Sequence, residues 1–526
     1  VSAHPPALPA DGTQIAADPR TQRRILIAMI TALVAVLAAM SGLNVAQQDL
    51  AIELGASQGD VLWIINAYTL ALAALLLPVG AIGDRIGRKP VLLAGLAVFG
   101  IATVGAVLAP TTGIMIATRV VAGVGAAMIM PVTLSIITSS FPAEERARAI
   151  GVWAAFAGGG SMISMFVSAF MVDVLSWRWV FVLPLALVAF SAVMSARYAP
   201  NSTETSVHRF DTVGSVLSAL AIGGLVLGIH EGPEKGWGAS ITLVSMVIGI
   251  AAMLAFVVWE RRQADPLLDI SAFRDRGLAS GTLTLLIVFA VMFGVFLVLY
   301  PYFQAVLGWS ALRSAAAMLP MMAVMMPMST IAPRVAVRIG SRNTMIVGVA
   351  IFAAGLATMA LRASVEGGYL SVLPGLLLIG LGMGFTMTPA TQAITETLPA
   401  EKQGVASALN DTSRELGGAV GIALLGSVLS AGYRAAMEPA VAGLPPELAE
   451  PASEGIGSAF AVAAQAGEQG PMIIDAAQRA FIDGWVQSMW LGVGMAAVAL
   501  LYLVVRGPAR RPALAVEEAH EVIVAG

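Results

Sequence analysis

The feature that most constrains this chain is a series of fourteen apolar stretches, each close to the length that crosses a bilayer, with short polar segments between most of them. A helix needs about 20 predominantly apolar residues to span the hydrocarbon core. The stretches fall at 25–47, 61–82, 90–109, 113–137, 148–171, 177–196, 212–230, 239–259, 278–301, 314–333, 343–361, 369–393, 405–431 and 484–506. Charge makes the same point. Only 12% of the 526 residues are charged, against about 25% in soluble domains. A chain so poor in charge cannot cover itself in water, which excludes a soluble enzyme, a nucleic-acid reader and a disordered scaffold. Cysteine is absent, so disulfides and thiolate chemistry are excluded too. The four histidines (His4, His208, His230 and His520) have no paired metal-ligand spacing. No metal and no other cofactor is expected. Residues 1–24 are polar and no small-residue cleavage site follows closely, so the first stretch is expected to remain as a span.

Basic residues orient the spans, because Lys and Arg collect in cytoplasmic loops. With the N-terminus inside, cytoplasmic segments hold 21 of the 29 Lys and Arg and outer segments hold five: Lys235, Arg313, Arg362, Arg434 and Arg479. Arg119, Arg178 and Arg414 fall in or at the edges of spans. The expectation is a multi-pass protein of the cytoplasmic membrane with both termini cytoplasmic.

The chain also repeats itself. Arg85, Gly87, Gly95 and Phe99 recur as Arg338, Gly340, Gly348 and Phe352 at an offset of 253. Gly123, Gly125, Phe141-Pro-Ala-Glu144 and Gly160 recur as Gly380, Gly382, Leu398-Pro-Ala-Glu401 and Gly417 at an offset of 257. Spans 1–6 and 9–14 therefore read as two six-helix pseudo-repeats, with spans 7–8 inserted between them. The expected division is a tail (1–24), an N-terminal half (25–197), an inserted segment (198–277), a C-terminal half (278–506) with a long outer segment (432–483), and a second tail (507–526). Helical periodicity near Ile456–Ala466 predicts one or two surface helices in the outer segment. Parallel six-helix halves are the architecture of alternating access, in which substrate binds near the midplane. The all-α, fourteen-span fold thus points to a secondary transporter.

Gly80-Ala-Ile-Gly-Asp84-Arg85-Ile-Gly87-Arg88-Lys89 resembles the signature loop of the major facilitator superfamily, and Arg119 with Gly123 and Gly125 resembles its second motif. Ser176-Trp-Arg-Trp-Val-Phe181 and Gln304-Ala-Val-Leu-Gly308 resemble the fourteen-helix branch of drug:proton antiporters. The resemblance covers residues 25–506 and implies proton-driven export of lipophilic or cationic compounds. Two positions depart from the branch. Its usual span 1 Asp, five residues before Asn44-Val45-Ala46, is Ala39, and its Gly-Pro-x-x-Gly-Gly motif in span 5 is Ser164-Met-Phe-Val-Ser-Ala169. Both losses touch residues to which proton coupling is usually assigned.

Several residues are candidates for the work of transport. Gly80, Asp84, Arg85, Gly87, Arg88 and Lys89 are expected to form an ionic latch, or merely to anchor a cytoplasmic loop. Arg119, costly at that depth, is read as a cavity-facing cation or as a structural Arg on backbone carbonyls. Gly123, in the same motif, is grouped with Arg119 as a cavity or coupling residue. Asp411, Arg414 and Glu415, at i, i+3 and i+4, share one face of span 13. They are read as a proton-carrying cluster or as a salt-bridged patch near the cytoplasmic end. Asp49, Glu53 and Asp60 lie in the first outer loop, where Asp49 is expected to be solvated or, if the first helix runs longer, to substitute for the missing span 1 acid. By analogy with the superfamily, spans 1, 4, 9 and 12 line the cavity. They supply Met40, Asn44, Met128, Met130, Phe293, Phe296, Tyr300, Met383, Phe385 and Met387, side chains suited to varied apolar ligands or simply to packing. The glycine runs Gly158–Gly160 and Gly380–Gly384 lie in apolar spans and are expected to be close helix contacts, not phosphate loops. The expected partners are a small lipophilic or cationic substrate and membrane lipid, with no nucleic acid, and a monomer is expected to suffice. An importer of a small polar nutrient and a non-transporting membrane sensor or enzyme are the rival readings.

Overall fold

A computed structural model describes residues 18–201 and 210–508. His4, His208, His520, Arg209, Arg510 and Arg511 lie outside the described residues. Helices alone cross the bilayer here, as they must where no water can satisfy backbone groups. Fourteen helical segments are long and apolar enough to span, and no strand occurs among the described residues.

The first half runs α1 (Pro19–Ser41), α2 (Leu43–Leu54), α3 (Gln58–Ile86), α4 (Arg88–Val107), α5 (Thr112–Ser140), α6 (Ala143–Val174) and α7 (Val182–Tyr198). The inserted pair is α8 (Thr212–Lys235) and α9 (Ser240–Glu260). The second half runs α10 (Arg276–Pro301), α11 (Ala311–Ala316), α12 (Leu319–Ile339), α13 (Ser341–Arg362), α14 (Gly368–Thr397) and α15 (Gln403–Val441). It continues through α16 (Pro446–Glu454), α17 (Ile456–Ala463) and α18 (Gly470–Arg506). Side-chain oxygens mark several helix starts. Asp18 caps α1, Asp211 caps α8 and Asp275 caps α10, each accepting from backbone N–H groups of the first turn.

Three boundaries differ from hydropathy. The first span, expected to run unbroken to 47, is interrupted at Gly42, where Ser168 and Val180 crowd the α-carbon. The spans drawn at 405–431 and 484–506 are α15 and α18, which overrun the bilayer toward the outer segment. A helix continues wherever its backbone bonds continue, and exposed pairs such as Arg479–Asp475 (3.1 Å, one turn apart) suit the part that leaves lipid. The outer segment carries two short helices, α16 and α17, and α17 packs on α18.

Packing repeats with the sequence. In the first half α4 packs on α5 and α7, α3 on α5, and α1 on α5, α6 and α7. In the second, α13 packs on α14 and α18, α12 on α14, and α10 on α14, α15 and α18. Glycines explain the match. A β-carbon at Gly125 would lie 2.7 Å from Phe99 N, and one at Gly382 would lie 2.5 Å from Phe352 N. Gly123 sits against the Tyr68 carbonyl and Gly380 against the Met321 carbonyl, the same positions in each half. Between the halves, α3 and α5 meet α15 while α6 meets α12 and α14, again a symmetric set. The inserted α8 breaks that symmetry by packing on both α3 and α15.

Candidate functional site

Asp84 closes one seam between the halves. It ends α3 and is almost fully buried, and its carboxylate faces the start of α15. Gly404 N–H donates to both Asp84 oxygens at 2.8 Å, and Val405 N–H donates to one at 3.1 Å. The first N–H groups of a helix have no partner within it and carry positive potential, so a buried anion fits there. Arg88 balances the charge at 2.9 Å and donates to the Ala400 carbonyl at 3.0 Å. Gly80 permits the approach, since a β-carbon there would lie 2.6 Å from the Gly404 carbonyl. The loop turns at Gly87, whose φ of 119° needs glycine.

Of the expected latch residues, then, Gly80, Asp84 and Arg88 touch the opposite half, and Gly87 shapes the turn. Lys89 does something else: it donates to the Ala196 carbonyl at 2.8 Å, riveting α4 to the end of α7. Its repeat counterpart Arg342 does likewise, donating to the Leu503 carbonyl of α18 at 3.0 Å. Arg85 is exposed. The second seam has no such acid. The counterpart of Asp84 is Val337, 87% exposed.

Arg119 does not face an open cavity. It is 2% exposed, and its guanidinium donates to the carbonyls of Ile64 (3.2 Å) and Ala39 (3.1 Å) while resting 4.3 Å from the Tyr68 ring. The position that lacks the branch's acid therefore supplies a backbone oxygen instead. Tyr68 in turn donates to the Val36 carbonyl at 3.0 Å, which fixes the ring.

The span 13 cluster lies deeper than a patch at the helix end. Asp411 is eight residues into α15, about 12 Å along the axis, and is fully buried. Arg414 donates to Asp411 Oδ1 at 3.4 Å and Asn410 Nδ2 donates to the same oxygen at 3.2 Å. Thr391 on α14 holds Asn410 in turn, at 2.9 Å. Asp411 Oδ2 has no partner among the described residues. Arg414 also crosses between halves, donating to the Ala157 carbonyl of α6 at 2.7 Å. Ala157 is the repeat counterpart of Arg414 itself at the 257 offset, so equivalent positions meet on the pseudo-two-fold axis. The guanidinium lies 4.6 Å from the Phe289 ring and 5.7 Å from Trp153. Glu415 differs from Asp411: it is only half-buried and makes no hydrogen bond or ion pair with any described residue.

The expected cavity residues divide. Phe293 packs against Gly418, and Phe289, Phe293 and Phe296 follow one another at 6.2 and 6.5 Å between ring centres. Tyr300 continues that stripe outward and its hydroxyl contacts Met165 Sδ of α6 at 3.2 Å. Met387 reaches the other half, where a β-carbon on Gly158 would lie 3.0 Å from its sulfur. Met383, one turn away, is buried, whereas Phe385 is two positions off that face. Met128 belongs to the α4–α5 contact at Gly95 and not to the seam. Met130 is buried in α5, Met40 is partly buried near the end of α1, and the Asn44 side chain lies outside the described residues.

Two of the three acids in the first loop have side-chain partners. Glu53 on α2 pairs with Arg178 and accepts from the Trp177 indole, while Arg178 donates to the Val107 carbonyl at 3.2 Å. These contacts clasp α2 and α4 to the start of span 6 and hold the Glu53 carboxyl below its usual range, chiefly through the Arg178 hydrogen bond. Asp60 forms a capping box with Ser57, and Asp49 is exposed, as is the paired Glu53. Sequence reasoning missed the partners that are backbone: Gly404, Val405, Ile64, Ala39 and Ala157. It also missed Phe289, Trp153, Asn410 and Thr391. The 257 offset between Ala157 and Arg414 was the one available signal.

The chain matches the Major Facilitator Superfamily over residues 27–422. It belongs to that superfamily. It is 31% identical over 421 residues to the multidrug resistance protein Stp of Mycobacterium tuberculosis (80% of this chain, 78% of Stp). It is 32% identical over 426 residues to the multidrug efflux pump LfrA of Mycolicibacterium smegmatis (80% and 84%). It is also 32% identical over 455 residues to the methyl viologen resistance protein SmvA of Salmonella typhimurium (85% and 90%). Its fold is similar to that of the human organic anion transporter MFSD10, with a TM-score of 0.58, 12% identity, 93% of this chain and 100% of that one covered. At that identity the likeness speaks for the fold alone. The protein is thus a multi-pass membrane transporter of the fourteen-helix branch, related to drug efflux and resistance proteins, and not an enzyme.

Proposed function

We propose that this transporter exports lipophilic or cationic compounds across the cytoplasmic membrane by alternating access. Residues 25–197 and 278–506 would rock as two units, with both termini cytoplasmic, the inserted 198–277 segment riding on one seam, and one chain sufficing. Relatives whose names specify multidrug efflux and methyl viologen resistance support the substrate class. The observation that carries the reading is the half-buried Glu415 carboxylate beside the Asp411–Arg414 pair. The Arg414 guanidinium pairs with Asp411 and not with Glu415, and Arg119 is held against the Tyr68 ring by carbonyls. Glu415 therefore needs a positive partner. A proton or an organic cation can each supply that charge, but a small desolvated site does not hold both. Competition for one carboxylate is the essence of antiport.

Asp411 has a positioning role: it orients Arg414, whose bond to Ala157 ties the halves at mid-depth. The α10 aromatic stripe offers ring faces to a passing cation, and Met387 offers an adaptable sulfur. Asp84 holds the cytoplasmic side of one seam shut until the loaded transporter turns.

The test is transport of a fluorescent lipophilic cation by proteoliposomes under an imposed pH gradient. Wild type should respond to the gradient, while Glu415→Gln should bind the dye yet ignore the gradient. A wild type indifferent to the gradient would remove proton coupling from this protein. An unaltered response in the variant would remove Glu415 from the mechanism.

A further inference from the structure

Two acids meet where α8 begins and α9 ends, and neither pairs with a described Lys or Arg. Asp211 caps α8 and Glu260 is the last residue of α9. A β-carbon on Gly214 would strike Asp211 Oδ2 and Glu260 Oε1 at once, so glycine there lets the two carboxyls lie side by side. Their surroundings differ. Asp211 is partly exposed and accepts from Gly214 N–H at 2.7 Å and from the Trp259 indole at 3.0 and 3.1 Å. Glu260 is 3% exposed, and its Oε2 accepts from Leu268 N–H at 3.2 Å. Its Oε1, the oxygen beside Asp211, has no donor among the described residues. Other charged groups at this level are exposed or committed. Arg261, Arg262, Asp265 and Asp269, on and after α9, are exposed, as is Arg85 of α3. Asp84 is held by Arg88 and Gly404, and Lys402, just before α15, donates to the Pro266 carbonyl at 2.9 Å.

We infer that Asp211 and Glu260 form a binding site for one proton, in which Glu260 Oε1–H donates to Asp211 Oδ2. Two adjacent carboxyls do not both stay ionised when one of them is out of water, so the pair keeps a proton between them. Burial decides which acid carries it. Asp211 has two N–H donors and partial contact with solvent to support a charge. Glu260 has one N–H donor and an orphaned oxygen, and a buried carboxylate without a cation neutralises instead. A divalent metal ion does not suit the place. Ca²⁺ and Mg²⁺ take about six or more oxygens, whereas two carboxyls converge here among N–H donors. No group of three metal-binding side chains occurs among the described residues. The proton ties the start of α8 to the end of α9. Its loss leaves two like charges that push those ends apart, and with them the turn that Glu260 holds at Leu268 and Lys402 holds at Pro266. The pair is a pH-dependent clasp on the segment whose first helix packs against both α3 and α15. The inference depends on neither export nor proton coupling at Glu415, because its test reads this proton alone.

Infrared difference spectroscopy of the full chain reads that proton directly, since a carboxylic acid has a C=O band that a carboxylate lacks and that histidine cannot produce. At about pH 6 a free Glu, with a pKa of about 4.3, is ionised. Wild type should show a carboxylic acid band there that fades as pH rises. The band should be missing from Glu260→Gln and from Asp211→Asn, and kept by Glu415→Gln. Asn still caps α8 and can donate to Glu260, which is then free to ionise, so Asp211→Asn keeps the test decisive if Glu260→Gln does not fold. Thermal melting supplies the sign. The folded pair holds a proton that the unfolded chain gives up, so stability falls as pH rises above about 5. Wild type should therefore lose stability relative to Glu260→Gln with rising pH, because the Gln amide keeps its bond to Asp211 throughout. No such band in wild type, an unchanged band in either variant, or melting curves that stay parallel would overturn the inference. So would a band removed by added Mg²⁺, which would give the site to a metal ion.

Discussion

Replacing Asp84 with Asn isolates what the proposed latch contributes, because the change keeps shape and removes charge. The ion pair with Arg88 lies within one half and persists whichever way the transporter faces. The state-dependent part is the set of N–H bonds from Gly404 and Val405 on the other half. Hydrogen bonds to a charged acceptor contribute about 1.5–3 kcal/mol each and neutral ones about 1 kcal/mol. Asn keeps one oxygen to accept but loses the charge that meets the helix start. The closed state should therefore lose about 2–3 kcal/mol relative to the open one. That shifts the equilibrium roughly 30- to 150-fold, at about 1.4 kcal/mol per factor of ten. The chain contains no cysteine, so a single reporter can be introduced without background. Ser407, fully buried on α15 less than one turn from Gly404, is nearly isosteric with Cys. Maleimide labelling of Ser407→Cys should be slow with Asp84 and at least tenfold faster with Asp84→Asn. Equal labelling rates, with both proteins melting at the same temperature, would refute the latch.

Three further outcomes follow from the geometry. Ala39→Asp places a carboxylate beside a guanidinium that already reaches the Ala39 carbonyl, so it should fold. The same change with Arg119→Leu leaves an unpaired buried charge and should lose about 3–5 kcal/mol, read as a non-additive fall in melting temperature. Gly125→Ala and Gly382→Ala should each destabilise by about 1–3 kcal/mol, because each added carbon strikes a Phe backbone nitrogen. Similar melting shifts in the two would confirm that the repeat extends to energetics. Glu53 has a folded pKa held below its unfolded value, so its clasp stabilises above an unfolded pKa of about 4.3 and is lost as pH falls through the folded one. Wild type should melt above Glu53→Gln at pH 6, and the difference should shrink in acid; a constant difference would argue against the ion pair.

Spans and repeat were legible because the bilayer fixes a length and the duplicated glycines fix a spacing. Gly125 with Phe99 and Gly382 with Phe352 announce one helix contact twice. The span ends were less legible, since α15 and α18 carry on past the apolar window into water, where hydropathy no longer marks a helix. At the site, sequence exposed one partner and hid the other. Asp84 is conspicuous, but Gly404 contributes only an N–H, which every residue but proline has. Arg119 is conspicuous, but Ile64 and Ala39 contribute carbonyls, so the partners of its guanidinium were hidden. Glu53 and Arg178 are both charged, yet 125 residues separate them, and only folding shows that they pair. Asp411, Arg414 and Glu415 shared a face by helical periodicity alone. Which of the two acids stays open depends on Asn410 and on the reach of Arg414 to Ala157.

The central claim is that a proton and a cationic substrate compete for Glu415, and proton release on binding tests it most directly. Tetraphenylphosphonium is added to purified protein in a weakly buffered solution with a pH indicator, at a pH where the unliganded protein holds the exchangeable proton. Wild type is predicted to release about one proton per bound cation, and Glu415→Gln to bind the cation with almost no release. Binding without release in wild type, or equal release from both proteins, would contradict the account.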